Sequence, residues 1–217
     1  MAGFFHQCRR VFMFTGIVQT TVKVAWVEHA PRLTRYALEV PRQYLEDLVP
    51  GASISVHGVC QTVVSIQGNQ VSFDAMEETL KRTTIATLKQ HQLVNFERAA
   101  KIGDEIGGHL LSGHIMGQAI ISNIIAPTPE QRVLSIACSP AWMKYILGKG
   151  FIAINGASLT VGDTDVRGSF TVHLIPETLR ITTFGQATEG ESVNIEIDSQ
   201  TQGIVDTVER VLATKNL

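Results

Sequence analysis

Cysteine is scarce: Cys8, Cys60 and Cys138 are the only three in 217 residues. They are scattered and form no C-x-x-C pair, which excludes a disulfide framework and a zinc knuckle. Reduced thiols in a cytoplasmic protein fit best. No excess of one charge exists either. Eighteen Lys and Arg stand against twenty Asp and Glu, a formal net charge of -2. A nucleic acid or an anionic membrane surface is therefore not an expected partner. No apolar run approaches the roughly 18 residues of a membrane helix. The opening "MAGFFHQCRRVF" carries Arg9 and Arg10 but no long apolar core, so it does not read as a secretory signal. Residues 1–12 are read as a disordered N-terminal extension ahead of Met13, where "MFTGIV" has the look of a natural start. The chain also lacks G-x-G-x-x-G, a P-loop, G-x-S-x-G and H-E-x-x-H. His109 and His114 lie five apart in "GGHLLSGHI", not the three or four that one helix face needs, and no metal site is expected.

What the chain does contain is a repeat. Gly16 in "FTGIV" matches Gly113 in "LSGHI" at an offset of 97, and Gly58 matches Gly156 at 98. Thr79 in "EETLKRTT" matches Thr178 in "PETLRITT", and Val94 in "VNFE" matches Val193 in "VNIE", both at 99. Landmarks that keep their order with so little drift mark two homologous modules. The division expected is an extension (1–12), two compact domains (13–109 and 110–198) and a tail (199–217).

Each module reads as β structure. "ASISVHGV", "QTVVSIQ" and "NQVSFDAM" are short, rich in Val and Ile, and separated by turn residues. "GFIAINGA", "SLTVGDT" and "GSFTVHLI" repeat them. Close-spaced short strands predict a small antiparallel barrel per module, an all-β class. One helical insert is predicted in each copy. "RQYLEDLVPG" spaces Leu45, Leu48 and Val49 as a helix would, and "SPAWMKYILGKG" offers Ser139 as N-cap, Pro140 at the first helical position and Gly148 as a stop. The tail places Ile204, Val205, Val208, Val211 and Leu212 on one stripe of an amphipathic helix. That helix either packs on its own barrel or meets another copy of the chain. The second is favoured because both barrels look complete without it.

The matched turns "VHGVCQTV" and "INGASLTV" put Cys60 and Ser158 at one corresponding point. Alone, Cys60 would read as a packed core thiol and His114 as structural. Duplication changes the weighing. A ligand-binding module copied in tandem has two similar pockets, and a thiol in one against a hydroxyl in the other gives them different duties.

"MFTGIVQ", "ERAAKIGDEIGGHLLSGHI", "MKYILGKGFIAINGASLTVG", "VHLIPETL" and "VNIEIDSQTQ…VDTVERVL" closely resemble the riboflavin synthases of the alpha-chain type, a family of lumazine-binding repeats. The resemblance runs from Met13 to about Leu212. It implies two tandem six-stranded Greek-key barrels plus a C-terminal helix, assembled as a homotrimer. It implies a cofactor-free dismutation, in which two molecules of 6,7-dimethyl-8-ribityllumazine exchange a four-carbon unit to give riboflavin and 5-amino-6-ribitylamino-uracil. The working site would join the N-terminal barrel of one subunit to the C-terminal barrel of a neighbour. Carried over by motif, the N-barrel pocket uses Gly16, Ile17 and Val18, then Ser53, Cys60, Gln61 and Thr62. Asp74, Ala75, Met76, Glu77, Glu78 and Thr79 line the same pocket, and Gly113, His114 and Ile115 close it. The C-barrel pocket uses Lys149, Ser158, Leu159 and Thr160, then Ile175, Pro176, Glu177, Thr178, Leu179 and Arg180, with Asp198 beyond. Cys60, Ser158, His114 and Asp198 are the catalytic candidates. The nucleophile that adds at C7 of one lumazine stays open between Cys60, Ser158, water and a ribityl hydroxyl.

Three positions depart from the family pattern. Asn155 stands for the usual Asp, His57 for the usual Asn, and Gln61 for a common Leu. If a carboxylate at 155 takes part in the chemistry, Asn155 should slow it, and His57 would compensate only by reaching the site. Phe14 lies near the family's active site, so an extension before Met13 bears on it. Relatives that bind lumazine or flavin without turnover, as optical antennae, are the alternative. They tend to lose the residues of one barrel and the terminal helix, which this chain keeps.

Overall fold

The computed structural model describes residues 13–128 and 130–215. The expected disorder of residues 1–12 falls outside the described residues. Two closed six-stranded antiparallel barrels account for most of the chain. The first contains β1 (Thr20–Ala30), β2 (Leu33–Glu39), β3 (Ser53–Val56), β4 (Val59–Gln67), β5 (Gln70–Met76) and β6 (Leu93–Arg98), in the spatial order β1-β2-β5-β4-β3-β6. The second contains β7 (Gly117–Thr128), β8 (Gln131–Ala137), β9 (Phe151–Ile154), β10 (Ala157–Asp165), β11 (Ser169–Leu174) and β12 (Ser192–Ile197). Its order, β7-β8-β11-β10-β9-β12, repeats the first with every index raised by six.

Alternation drives this closure. In β2 and β5 every second side chain turns inward, so Tyr36, Leu38, Val71 and Phe73 fill the first barrel while Arg35 and Asp74 face solvent. Leu134, Ile136, Phe170 and Val172 do the same in the second. The cores are not purely local, however. Val18, from the segment leading into the first barrel, packs in the second core, and Ile115, leading into the second, packs in the first. Phe14 and Leu111 exchange reciprocal N–H···O bonds of 2.9 Å where these leading segments cross.

The hairpin tips also meet. His57–Gly58 and Asn155–Gly156 take φ of 48°, 82°, 46° and 81°, the left-handed pair of a two-residue hairpin turn. A Cβ on Gly58 would sit 2.6 Å from Gly156 N, so glycine is required there for the two tips to abut. Around them Asn95 and Asn194 act as crossed clamps. Asn95 Nδ2 donates to Asn155 O (2.9 Å) and its Oδ1 accepts from Thr183 N (2.8 Å). Asn194 Nδ2 donates to His57 O (2.9 Å) and its Oδ1 accepts from Thr84 N (2.8 Å).

The two predicted helical inserts shrink to 3-10 turns, Arg42–Tyr44 and Pro140–Trp142. Their bonds run i to i−3, as from Leu45 N to Arg42 O, and left-handed Asp47 and Lys149 turn the chain away. The apolar spacing buries Leu48 and Ile146 without building an α-helix. Ser139 makes no side-chain cap bond. Two short helices, α1 (Glu77–Arg82) and α2 (Pro176–Ile181), instead follow β5 and β11. The tail is helical as expected: α3 spans Ser199–Lys215. Among the described residues no helix is long and apolar enough to cross a membrane.

Candidate active site

A cavity of about 510 Å³ opens beside the first barrel. Val59 and Cys60 at the start of β4 form one wall, Glu78, Thr79 and Arg82 of α1 another, and Ser112–Met116 a third. Glu196 and Ile197 at the end of β12, with Ser199 and Gln202 of α3, complete it. The size suits a small-molecule ligand. Of the residues expected here, Cys60, Glu78, Thr79, Gly113, His114 and Ile115 come together. Ser53 supports them by a hydrogen bond to Cys60.

Gly16, Ile17 and Val18 do not belong to this pocket. The leading segments cross, so Gly16 O accepts the Ser158 amide at 2.8 Å and Val18 enters the second core. By the same crossing, Gly113 O accepts the Cys60 amide at 3.0 Å. Both glycines have positive φ, and a Cβ on either would stand 2.6 Å from the Cβ of the residue it faces. Gly16–Val18 therefore border the C-terminal barrel, and Gly113–Ile115 the N-terminal one.

Other expected side chains point elsewhere. Gln61 is buried, and its Oε1 accepts from the Tyr36 hydroxyl at 3.2 Å inside the barrel. The equivalents of Tyr36 and Gln61 in the second barrel are Leu134 and Leu159, both buried and apolar. The departure at Gln61 is thus one half of a polar pair that replaces an apolar one. Ala75 is also a core residue. Thr62, Asp74 and Met76 are exposed on the outer face of the first barrel, with Glu77 partly so, and Asp74 pairs with Arg35. Around the second barrel Lys149, Thr160, Ile175, Pro176, Glu177 and Arg180 are exposed, and Thr178 and Leu179 are half-buried. Glu177 and Arg180 form an ion pair of 2.6 Å.

A second cavity of about 440 Å³ adjoins the first across Ser112 and Ser199. His109, Phe151 and Asp198 line it with Met13, Ile106, Leu110 and Leu111. His109 stacks on Phe151 at 5.1 Å and brings Nδ1 within 2.7 Å of Ser158 Oγ. Its Nε2 is buried without a partner. Burial pulls the imidazole below its ordinary range, against the opposing pull of the Asp198 charge, so it is neutral at pH 7. In the tautomer that carries its proton on Nε2, Nδ1 accepts the Ser158 proton and makes that hydroxyl a better nucleophile. His109 had entered the sequence reading only as a metal candidate. Its pairing with Ser158 spans 49 residues and has no sequence signature.

Cys60 is the opposite case. Burial pushes its thiol up, the Ser53 bond offsets part of this, and the Glu196 charge pushes it further. At pH 7 it is a thiol and not a thiolate, which removes most of its nucleophilic power. Asp198 is ionised: burial opposes the charge, but bonds from Thr201 and Gln200, with His109 nearby, hold its carboxyl below the ordinary value. Oδ2 accepts from Thr201 N (2.9 Å) and Thr201 Oγ1 (2.7 Å), so Asp198 caps α3 as well as lining the cavity.

His57 and Asn155 sit at the barrel–barrel contact and not in either cavity wall described above. His57 is buried and pulled down to about 4 by desolvation, and its Nδ1 accepts the Asn95 amide at 3.3 Å. Asn155 Oδ1 accepts the Asn194 amide at 2.8 Å.

Fold and site together define a class: a tandem-barrel protein with two adjoining cavities, one presenting the Cys60 thiol and the other lined by His109, whose Nδ1 reaches the Ser158 hydroxyl behind it. The sequence profile of the lumazine binding domain matches residues 15–99 and 112–198. The chain belongs to the lumazine-binding domain family. It is 52% identical over 204 residues to the riboflavin synthase of Escherichia coli (strain K12), covering 94% of this chain and 95% of that one. It is 42% identical to the riboflavin synthase of Chlamydia pneumoniae over 93% and 98% of the two chains. Among solved structures it resembles LumP complexed with 6,7-dimethyl-8-(1'-D-ribityl) lumazine, with a TM-score of 0.76, 27% identity, and coverage of 84% and 98%. LumP complexed with riboflavin matches with a TM-score of 0.78 and 28% identity, over 86% and 100%.

Proposed function

We propose that this protein catalyses the dismutation of two 6,7-dimethyl-8-ribityllumazine molecules to riboflavin and 5-amino-6-ribitylamino-uracil. The carrying observation is 52% identity to a riboflavin synthase across nearly the whole chain, with both repeats and both distinguishing residues present. The reaction moves a four-carbon unit between identical substrates, so atoms balance without an oxidant or reductant. Two repeats give one site per barrel for two identical substrates, and the difference between Cys60 and Ser158 at the matched position assigns them unequal parts.

Ser158 supplies the hydroxyl of the C-terminal site, with His109 accepting its proton as the oxygen adds to the electron-poor C7 of the acceptor. In the N-terminal site the 7-methyl group of the donor gives a proton to His114, which lines that cavity, and the ring delocalises the resulting anion. Cys60 contributes there as a protonated thiol, with His114 and Thr79 beside it. Asp198 caps the start of α3 and sets a negative charge near His109. Residues 13–109 and 110–198 are the two binding units, and 199–217 the assembly element. Exposed Ile204 (66%), Val208 (51%), Val211 (45%) and Leu212 (57%) support a homotrimer whose chemistry runs between the N-terminal barrel of one subunit and the C-terminal barrel of the next. Its setting is the cytoplasm.

The test is to incubate the purified chain with the lumazine alone and follow flavin absorbance. One riboflavin for every two lumazines consumed is expected. Tight binding of the lumazine without product would favour a binding-only role like that suggested by the LumP complexes.

A further inference from the structure

Two buried carboxylates have no part in the chemistry above. Glu97 on β6 is 3% exposed and Glu196 on β12 is 4% exposed. They are equivalent positions of the two repeats, and the bonds to their Oε1 atoms match. Glu97 Oε1 accepts from N (2.7 Å) and Oγ1 (2.8 Å) of Thr15, the residue before Gly16, while its Oε2 is buried without a partner. Glu196 Oε1 accepts from Ser112 N (2.7 Å) and Ser112 Oγ (2.8 Å), and its Oε2 from Gly113 N (3.1 Å). A carboxylate buried this deeply is costly unless its bonds serve a purpose.

The next bond in each series crosses to the other repeat. Gly16, next to the Thr15 that Glu97 holds, accepts the amide of Ser158, and Gly113, held by Glu196, accepts the amide of Cys60. Neither glycine tolerates a side chain against its partner. Each carboxylate therefore governs a loop with no slack, and that loop bears directly on a site residue about 60 to 140 positions away in sequence.

We propose that Glu97 and Glu196 are crossed positioning residues: Glu97, in the first repeat, fixes Ser158 of the second through Gly16, and Glu196, in the second, fixes Cys60 of the first through Gly113. Their importance to catalysis rests on the riboflavin synthase reading; the crossed relay itself does not. The arrangement gives two sites of unlike chemistry a shared framework, because loosening either carboxylate disturbs the site in the opposite barrel.

Hydrogen exchange read by peptide mass on the full chain tests this, using Glu97→Ala, Glu196→Ala and the isosteric Glu97→Gln and Glu196→Gln. Losing the anchor should raise exchange about tenfold or more at the Ser158 amide in E97A, leaving Cys60 unchanged, with the reverse in E196A. The Gln variants, whose amide oxygen accepts the same donors, should keep both amides protected. In turnover, each Ala variant should lower kcat by about tenfold with KM within about threefold, and Gln should restore it. Should the Ala chains fail to fold, Glu97→Asp and Glu196→Asp, too short to reach, should give the same crossed pattern. Exchange that rises in the substituted repeat, rises evenly in both, or stays unchanged overturns the proposal. A wild-type chain that binds lumazine without turning it over removes the catalytic reading, while the exchange pattern still decides the relay.

Discussion

His109 Nδ1 lies 2.7 Å from Ser158 Oγ, and the corresponding residue of the other site, Cys60, is a thiol held protonated by burial. The repeat is thus symmetric in backbone and unequal in reactivity. An imidazole backs one nucleophile, while a carboxylate opposes ionisation of the other.

Replacing His109 by Gln removes the proton acceptor while keeping a polar group of similar reach. General-base assistance is worth about 10²-fold or more, so kcat should fall by that order with lumazine binding retained. Burial places the His109 titration below the ordinary histidine value. Wild-type activity should therefore hold at neutral pH and decline only on the acid side as the imidazole is protonated. Stopped-flow flavin formation across pH 5–8 checks both, and H109Q should lack the acid limb.

Stability should respond to pH through two buried groups of opposite sign. His57, pulled from 6.5 down to about 4, contributes stability present above the unfolded value and lost as pH falls through that window. Glu97, raised from 4.5 to about 7, contributes stability present below the unfolded value and lost as pH rises toward 7. The two nearly offset between about pH 4.5 and 6.5. His57→Asn, which also suits a φ of 48°, should make the protein more resistant to acid, by up to about 3 kcal/mol near pH 4. Glu97→Gln should instead stabilise it at pH 8, by about 1–3 kcal/mol, and not at pH 4. Urea titrations at the two pH values measure each difference.

Asn155→Asp should leave turnover within about twofold of wild type, since 1.4 kcal/mol at the transition state is needed for tenfold. The side chain accepts the Asn194 amide at the barrel contact, and an aspartate oxygen would accept it equally. This revises the expectation that a carboxylate at 155 would speed the reaction. Steady-state kinetics of N155D, beside its thermal melt, give the comparison.

The α3 stripe should assemble the chain. Lys144 and Tyr145 bond Glu209 and Asp206 on the polar flank of the helix, which sets α3 beside its own barrel with the apolar residues left open. Val208→Glu, or removal of 203–217, should convert a trimer to smaller species by light scattering, and turnover should fall with assembly.

The barrels were legible in the sequence because β alternation is local: "QVSFDAM" shows its inward and outward faces without help from distant residues. The tail helix was legible for the same reason. The inserts misled because three apolar residues at helical spacing report burial, and a 3-10 turn buries them as well as an α-helix does. Glu97 and Glu196 carried a faint signal, a charged residue at matched positions at the end of "VNFE" and of "VNIE". Nothing local said what those carboxylates hold.

By itself the sequence determined the duplication, the strand periodicity, the terminal amphipathic helix and the paired positions of Cys60 and Ser158, all of which depend on neighbours a few residues apart or on direct comparison of the two copies. The tertiary structure alone decided which leading segment serves which barrel, that His109 backs Ser158, and that His57 and Asn155 are interface residues. Those outcomes depend on the two hairpin tips meeting and the leading segments crossing at Phe14 and Leu111. Such contacts join residues that no periodicity relates, and only the closed packing of both barrels brings them together.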